Sequence, residues 1–190
     1  MEISNMQERL QKVLNEHRYT HSIGVMNEAV RMAELFGEDR EKAQIAGLLH
    51  DCAKYLKPDE ALVLARAYGI ELDKDTINCP PVIHAPIGAI IANREYQVKD
   101  LDILEAIKNH TVAGLDMSNL SKIIYVADMT EVGRDFPGVD EIRKASKTDL
   151  DKAYLLAIKS SLMHNLNKNG YIHPMTVYAW NEINKGEEKI

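Results

Sequence analysis

His50 and Asp51 stand side by side near the end of the apolar stretch Ile45-Ala46-Gly47-Leu48-Leu49-His50-Asp51-Cys52-Ala53-Lys54, where an ordinary helix would place two more hydrocarbon side chains. An ionised carboxylate in such surroundings costs several kcal/mol unless something compensates it. A divalent cation held by the imidazole and the carboxylate together does so, and the pair is read first as part of a metal site. Two further polar residues interrupt apolar helix faces: His21 in Tyr19-Thr20-His21-Ser22-Ile23-Gly24-Val25, and Asp128 in Ile123-Ile124-Tyr125-Val126-Ala127-Asp128-Met129. Helix neighbours at i and i+1 point about 100° apart. A cation shared by His50 and Asp51 must therefore sit off their helix, with other helices completing its shell, and His21 and Asp128 are candidates to do so.

His84, just ahead of the helix that Pro86 opens, and His110, ending the pattern Leu101, Ile103, Leu104, Ala106, Ile107, are the next candidates. If both face inward, six groups are available, which exceeds what one cation needs when positions stay open for water and substrate. Two ions are more economical. Asp51 is then the natural bridge, with His21, His50 and Asp128 on one ion and His84 and His110 on the other. Mixed imidazole and carboxylate ligation suits iron, manganese, cobalt or nickel as well as zinc. Ion pairs roughly 3.5–4 Å apart clamp the attacking and leaving oxygens of a phosphoryl transfer. His17, His164 and His173 are read as ordinary hydrogen-bonded or surface histidines.

The elements that must carry these groups are helical. Apolar residues recur at helical spacing almost everywhere, as in Val25, Ala29, Met32 and Ala33, or Leu155, Leu156, Ile158, Leu162 and Leu166, with no convincing alternating strand. Helices are expected over 5–17, 20–36, 39–54, 59–68, 86–97, 101–111, 118–132, 139–146, 149–168 and 174–185. Asp100, Thr148 and Pro174 read as start signals, and Gly37, Gly69, Gly114 and Gly170 follow helix ends, where glycine tolerates a left-handed cap. The connection from Gly69 to Ala85 is long enough to be functional, unless Asp73–Thr76 form an extra turn of helix. The expected fold is all-α, a single domain over 1–190 with a polar tail about 185–190.

Length, charge and cysteine content limit the function classes. A chain of 190 residues is long enough for one domain with a proper core. A net charge of -6 argues against binding nucleic acid through a basic surface, so an anionic substrate needs local positive charge such as a metal centre. Cys52 and Cys79 are too few for a disulfide framework or a thiolate zinc site. No apolar run approaches a membrane span, and Met1-Glu2-Ile3-Ser4-Asn5 begins no secretory signal, so a cytoplasmic protein without membrane partners is expected.

His21, the His50-Asp51 doublet and Asp128 together resemble the ligand set of the HD-domain metal-dependent phosphohydrolases. Three longer segments narrow the resemblance: Asn109-His110-Thr111-Val112-Ala113-Gly114, Lys122-Ile123-Ile124-Tyr125-Val126-Ala127-Asp128, and Arg134-Asp135-Phe136-Pro137-Gly138-Val139. In these the chain is similar to the bacterial symmetrical diadenosine tetraphosphate hydrolases of the YqeK type, from about Leu10 to Trp180, including Ile172-His173-Pro174-Met175-Thr176-Val177. One departure is Glu131-Val132-Gly133, where the family pattern has Glu-Pro and a bulkier residue before the arginine.

The resemblance implies a multi-helix HD-domain fold and a centre of one or two divalent ions, iron first, with manganese, cobalt, nickel or zinc as alternatives. It implies His21, His50, Asp51, His84, His110 and Asp128 as ligands, and symmetrical cleavage of diadenosine tetraphosphate into two ADP by metal-activated water. ADP or GDP is the expected product-like ligand, with a homodimer left open. Asp51 and Lys54 are the candidate catalytic residues. Lys54, Arg134, Phe136 and Thr111 are candidates for substrate contact: Lys54 lies three residues after Asp51, and Arg134 follows the Asp128 helix. Solvated surface charges are the alternative for Lys54 and Arg134, and a plug into the core is the alternative for Phe136. The rival functions are an HD phosphohydrolase acting on a nucleoside monophosphate, alarmone or cyclic dinucleotide, and more remotely a non-catalytic metal-binding helical regulator.

Overall fold

The computed structural model describes residues 1–185, and among them no strand occurs. The helices are α1 (Ile3–Val13), α2 (Glu16–Phe36), α3 (Arg40–Leu49), α4 (Pro58–Ala67), α5 (Lys74–Ile77), α6 (His84–Arg94), α7 (Leu101–Asn109), α8 (Asn119–Thr130), α9 (Val139–Ala145), α10 (Leu150–Asn167) and α11 (Pro174–Ile183), with a 3-10 turn at Pro80–Val82. The all-α expectation is borne out. From residue 186 onward, the expected polar tail lies outside the described residues.

Short polar side chains start many of these helices by accepting first-turn N–H groups that have no partner within the helix. Asn15 accepts from Arg18 N, Asp39 from Glu41 and Lys42 N, Asp100 from Asp102 and Ile103 N, and Ser118 from Ser121 N. The break at Leu14-Asn15 means that one helix does not run over 5–17: His17 already belongs to α2. Asp149, rather than Thr148, caps α10. Gly37 and Gly69 take positive φ as expected, whereas near Gly114 and Gly170 the left-handed residues are Ala113 (φ 66°) and Asn169 (φ 51°). The Gly69–Ala85 connection holds α5 and the 3-10 turn, so the extra-turn reading of that segment is correct.

The largest departure lies at the doublet itself. α3 ends at Leu49 and not at 54; the chain continues through tight turns in which Cys52 N donates to Leu49 O, Lys54 N to Asp51 O and Leu56 N to Ala53 O. Residues three apart eclipse in such turns, so Lys54 still lies over Asp51. Apolar periodicity alone did not separate this tightening from a continued α-helix, because Cys52 and Ala53 are buried in either case.

Four helices form the centre: α2 packs on α3 and α8, and α7 packs on α3, α6 and α8. Val25, Met32, Leu48, Leu49, Ile87, Ile91, Ile107, Ile123 and Ile124 are buried there. The α2–α3 crossing is close enough that a Cβ on Gly47 would lie 2.8 Å from the Met26 Cα. Gly47→Ala therefore forces two backbones apart, at a cost of ~1–3 kcal/mol that exceeds the helix propensity gained, about 1 kcal/mol at most. A thermal midpoint lower by several degrees is the expected result, and calorimetry or circular dichroism checks it.

Candidate metal centre

The four central helices and α6 bring polar residues to one place. His21 projects from the second turn of α2, His50 from the C-cap of α3 and Asp51 from the turn that follows, His84 from the first residue of α6, His110 from the C-cap of α7 and Asp128 from α8. Within this cluster His84 Nε2 lies 3.0 Å and His110 Nε2 3.4 Å from Asp51 Oδ1, while His50 Nε2 lies 3.9 Å from Asp51 Oδ2. Asp128 Oδ1 is 2.9 Å from His21 Nε2 and 3.8 Å from His50 Nε2. All six residues expected to meet do meet, and overlapping triads of them place ligand atoms within 4.8 Å of one another.

The hydrogen bonds behind the rings fix how the nitrogens face. His50, His84 and His110 each set Nδ1 against a main-chain carbonyl, those of Gly47 (2.8 Å), Pro81 (2.8 Å) and Ile107 (2.7 Å). A carbonyl can only accept, so Nδ1 carries the proton and, in the neutral ring, Nε2 turns a lone pair inward. Yet His84 Nε2 and His110 Nε2 are 3.2 Å apart, and His50 Nε2 and His21 Nε2 3.3 Å. Bare nitrogens and carboxylate oxygens packed this closely repel one another unless a cation lies between them. The donor set fits divalent ions held by imidazole and carboxylate.

Electrostatics match this reading. Burial lowers the His50 and His84 pKa values to about 4, outweighing the nearby carboxylates. Burial pushes Asp51 upward, but His50, His110 and His84 overcome it and hold the carboxyl well below its ordinary range. Asp128 is likewise depressed, burial being outweighed by the His21 hydrogen bond and by His50 and Arg134. For His21, burial is outweighed by Asp128, and its pKa rises. In metal-free protein the unfolded chain therefore binds more protons at positions 50 and 84 between about pH 6.5 and 4, and stability falls as pH falls through that window. His21, being raised, acts in the opposite sense but is one group against two. The thermal midpoint of chelated protein is expected to be lower at pH 5 than at pH 7; an unchanged or higher midpoint would contradict this ordering.

Protein cations ring the cluster. Lys54 Nζ lies 3.6 Å from Asp51 Oδ1 and 2.9 Å from His84 Nε2, and burial lowers its pKa. Arg134 grips Asp128 through both the carboxylate and the main-chain oxygen. Arg18, absent from the sequence-based candidates, lies 3.6 Å from Asp51 Oδ2 and lines a small cavity of about 180 Å³ with Lys54 and His84. Its only sequence signal was a cation one turn before His21. The structure does not bring the remaining candidates to the cluster in the same way. Phe136 is partly buried and packed against the core. Thr111 lines a separate cavity of about 700 Å³, and its buried hydroxyl has no hydrogen-bond partner among the described residues. His173 caps α11 and meets Thr76.

The model of the HD domain matches residues 18–133, which contain all six clustered residues. The chain is 43% identical over 176 residues, covering 91% of it and 92% of the relative, to the symmetrical bis(5'-nucleosyl)-tetraphosphatase of Bacillus subtilis. It is 33% identical over 193 residues to the enzyme of the same name in Staphylococcus aureus, with 100% and 98% of the two chains covered. A solved structure from Clostridium acetobutylicum, described as a predicted HD superfamily hydrolase involved in NAD metabolism, superposes with a TM-score of 0.93 at 41% identity over 96% of this chain and 97% of that one. With the helices, the cluster and these relatives in agreement, the chain belongs to the HD-domain hydrolases and, within them, to the family of the symmetrical bis(5'-nucleosyl)-tetraphosphatases.

Proposed function

We propose that this protein hydrolyses diadenosine tetraphosphate symmetrically to two ADP, with one or two divalent ions, iron first among them, held by His21, His50, Asp51, His84, His110 and Asp128. The observation that carries the reading is the division of Asp51: one carboxylate oxygen faces His84 and His110 and the other lies toward Arg18 and His50, an arrangement that would let this residue serve two ions. When bound, such ions supply an activated water and neutralise phosphate charge. The names of the relatives support the substrate. The unit is proposed to be one HD-type domain over the whole chain, since one core cluster draws residues from Met6 to Ala179. A cytoplasmic location fits its free buried cysteines, Cys52 and Cys79.

In this reading water adds to a central phosphorus, the bond from that phosphorus to the bridging oxygen breaks, and the other half departs as ADP. Little general-acid help is needed for so good a leaving group, so positioning and charge dominate. Lys54 and Arg18 flank Asp51, where their charges meet phosphate oxygens. Arg134 both restrains Asp128 and presents a planar fork suited to a phosphate. Asp51 would hold both ions.

Arg134→Ala is expected to lower kcat/KM by ~10²-fold, the scale of losing one charged contact to developing phosphate charge, with KM rising and bound metal retained; steady-state kinetics with elemental analysis checks it. The function itself is tested by chromatography of the products from metal-loaded protein and diadenosine tetraphosphate. ADP alone supports the proposal. AMP with ATP, inorganic phosphate or no turnover refutes it and points to another nucleotide.

A further inference from the structure

Three of the four clustered histidines share one anchor. His50, His84 and His110 each donate Nδ1–H to the carbonyl three residues earlier in their own segment. His21 has no such option, because it lies inside α2, where the carbonyls one turn back are occupied by the helix ladder. Its Nδ1 meets Glu131 Oε1 instead, at 3.0 Å. Glu131 follows α8 three residues after Asp128, so one chain segment supplies a carboxylate to each nitrogen of the same ring. The Glu131 side chain is buried, and its second oxygen accepts from Gly133 N at 2.6 Å.

Glycines open the slot that this carboxylate fills. A Cβ on Gly24, one turn beyond His21 on α2, would lie 2.6 Å from Glu131 Oε2, and a Cβ on Gly133 would lie 3.0 Å from Oε1. A carboxylate is thus held behind one histidine of the cluster, where the other three have main-chain carbonyls. Partners of this kind orient a ligating ring and raise its basicity.

We propose that Glu131 is a positioning residue for His21, turning its Nε2 lone pair onto the ion shared with His50 and Asp128 and making that ion's site unequal to the one at His84 and His110. This rests on the two-ion reading above. The carboxylate strengthens the donor on one ion only, because His21 Nε2 meets Asp128 at 2.9 Å and His50 at 3.3 Å, the groups assigned to that ion. Its removal weakens that ion and spares the other.

Titration calorimetry of metal-free, full-length protein with Mn²⁺ tests this, using Glu131→Gln and Gly24→Ala beside the parent. Glu131→Gln keeps the shape and removes the charge. Gly24→Ala keeps the charge, favours the helix and displaces the carboxylate, so a role that merely fills space predicts no common effect. The expected result is two binding events in the parent and, in both variants, one event weakened roughly 10- to 100-fold with the other unchanged. Both events unchanged, or both weakened alike, would overturn the inference while leaving the metal reading intact. Uptake of fewer than two ions by the parent would overturn the two-ion reading itself and the inequality with it.

Discussion

Asp51→Asn is expected to reduce turnover of diadenosine tetraphosphate by roughly 10³-fold or more, because one substitution removes a ligand from both proposed ions. The amide is nearly the same size, but it carries no charge and can offer only one oxygen. Its NH₂ would then face imidazole nitrogens whose lone pairs now converge on Asp51. The far-ultraviolet circular dichroism should stay helical, since the core of α2, α3, α7 and α8 is apolar and built without this side chain. Anion-exchange chromatography of reaction time courses, with metal analysis of the same samples, checks the expectation. Near-parental ADP formation by metal-loaded variant protein would remove Asp51 from the bridging role.

Exhaustive chelation should abolish activity and also lower the thermal midpoint. The cluster places four imidazoles and two carboxylates in contact, with His50, Asp51, His84 and His110 buried. Without a cation these acceptors repel one another, so the ions contribute to folding as well as to chemistry. A ligand present at a thousand times its dissociation constant stabilises the native state by ~4 kcal/mol. For a chain of this length that corresponds to a midpoint shift of about 10 °C. Scanning calorimetry before and after restoring Fe²⁺ under anaerobic conditions, or Mn²⁺, should recover both activity and midpoint. Full activity after chelation would be incompatible with a metal-dependent centre.

Much of this centre was legible as a sequence because its residues break a strong pattern. His21, His50, Asp51 and Asp128 lie where helical periodicity calls for hydrocarbon, and a buried polar group needs a partner. His84 and His110 showed the same inward direction at helix ends. The helical fold was legible for a related reason: apolar spacing, with Asn15, Asp39, Asp100 and Ser118 as caps, marks element type more clearly than element ends. The tight turns after Leu49 and the left-handed Ala113 and Asn169 left no such mark, since their conformation is set by packing rather than by residue type.

Glu131 and Arg18 were not legible for a different reason. Each is an ordinary charged residue locally, and its role arises only when α2 meets the loop after α8 or the turn after α3. Phe136 and Thr111 lie in segments that the family resemblance singled out. Phe136 packs on the core, the plug alternative given for it, and Thr111 lines a cavity of about 700 Å³ together with Asn109 and His173.

The most direct test is anomalous diffraction at the manganese edge from crystals of the Mn²⁺-loaded full-length protein. Two peaks are predicted, roughly 3.5–4 Å apart on either side of the Asp51 carboxylate, one nearest His21, His50 and Asp128 and the other nearest His84 and His110. Peaks confined to surface carboxylates, or a lone ion that does not touch Asp51, would contradict the bridged centre on which the proposed chemistry depends.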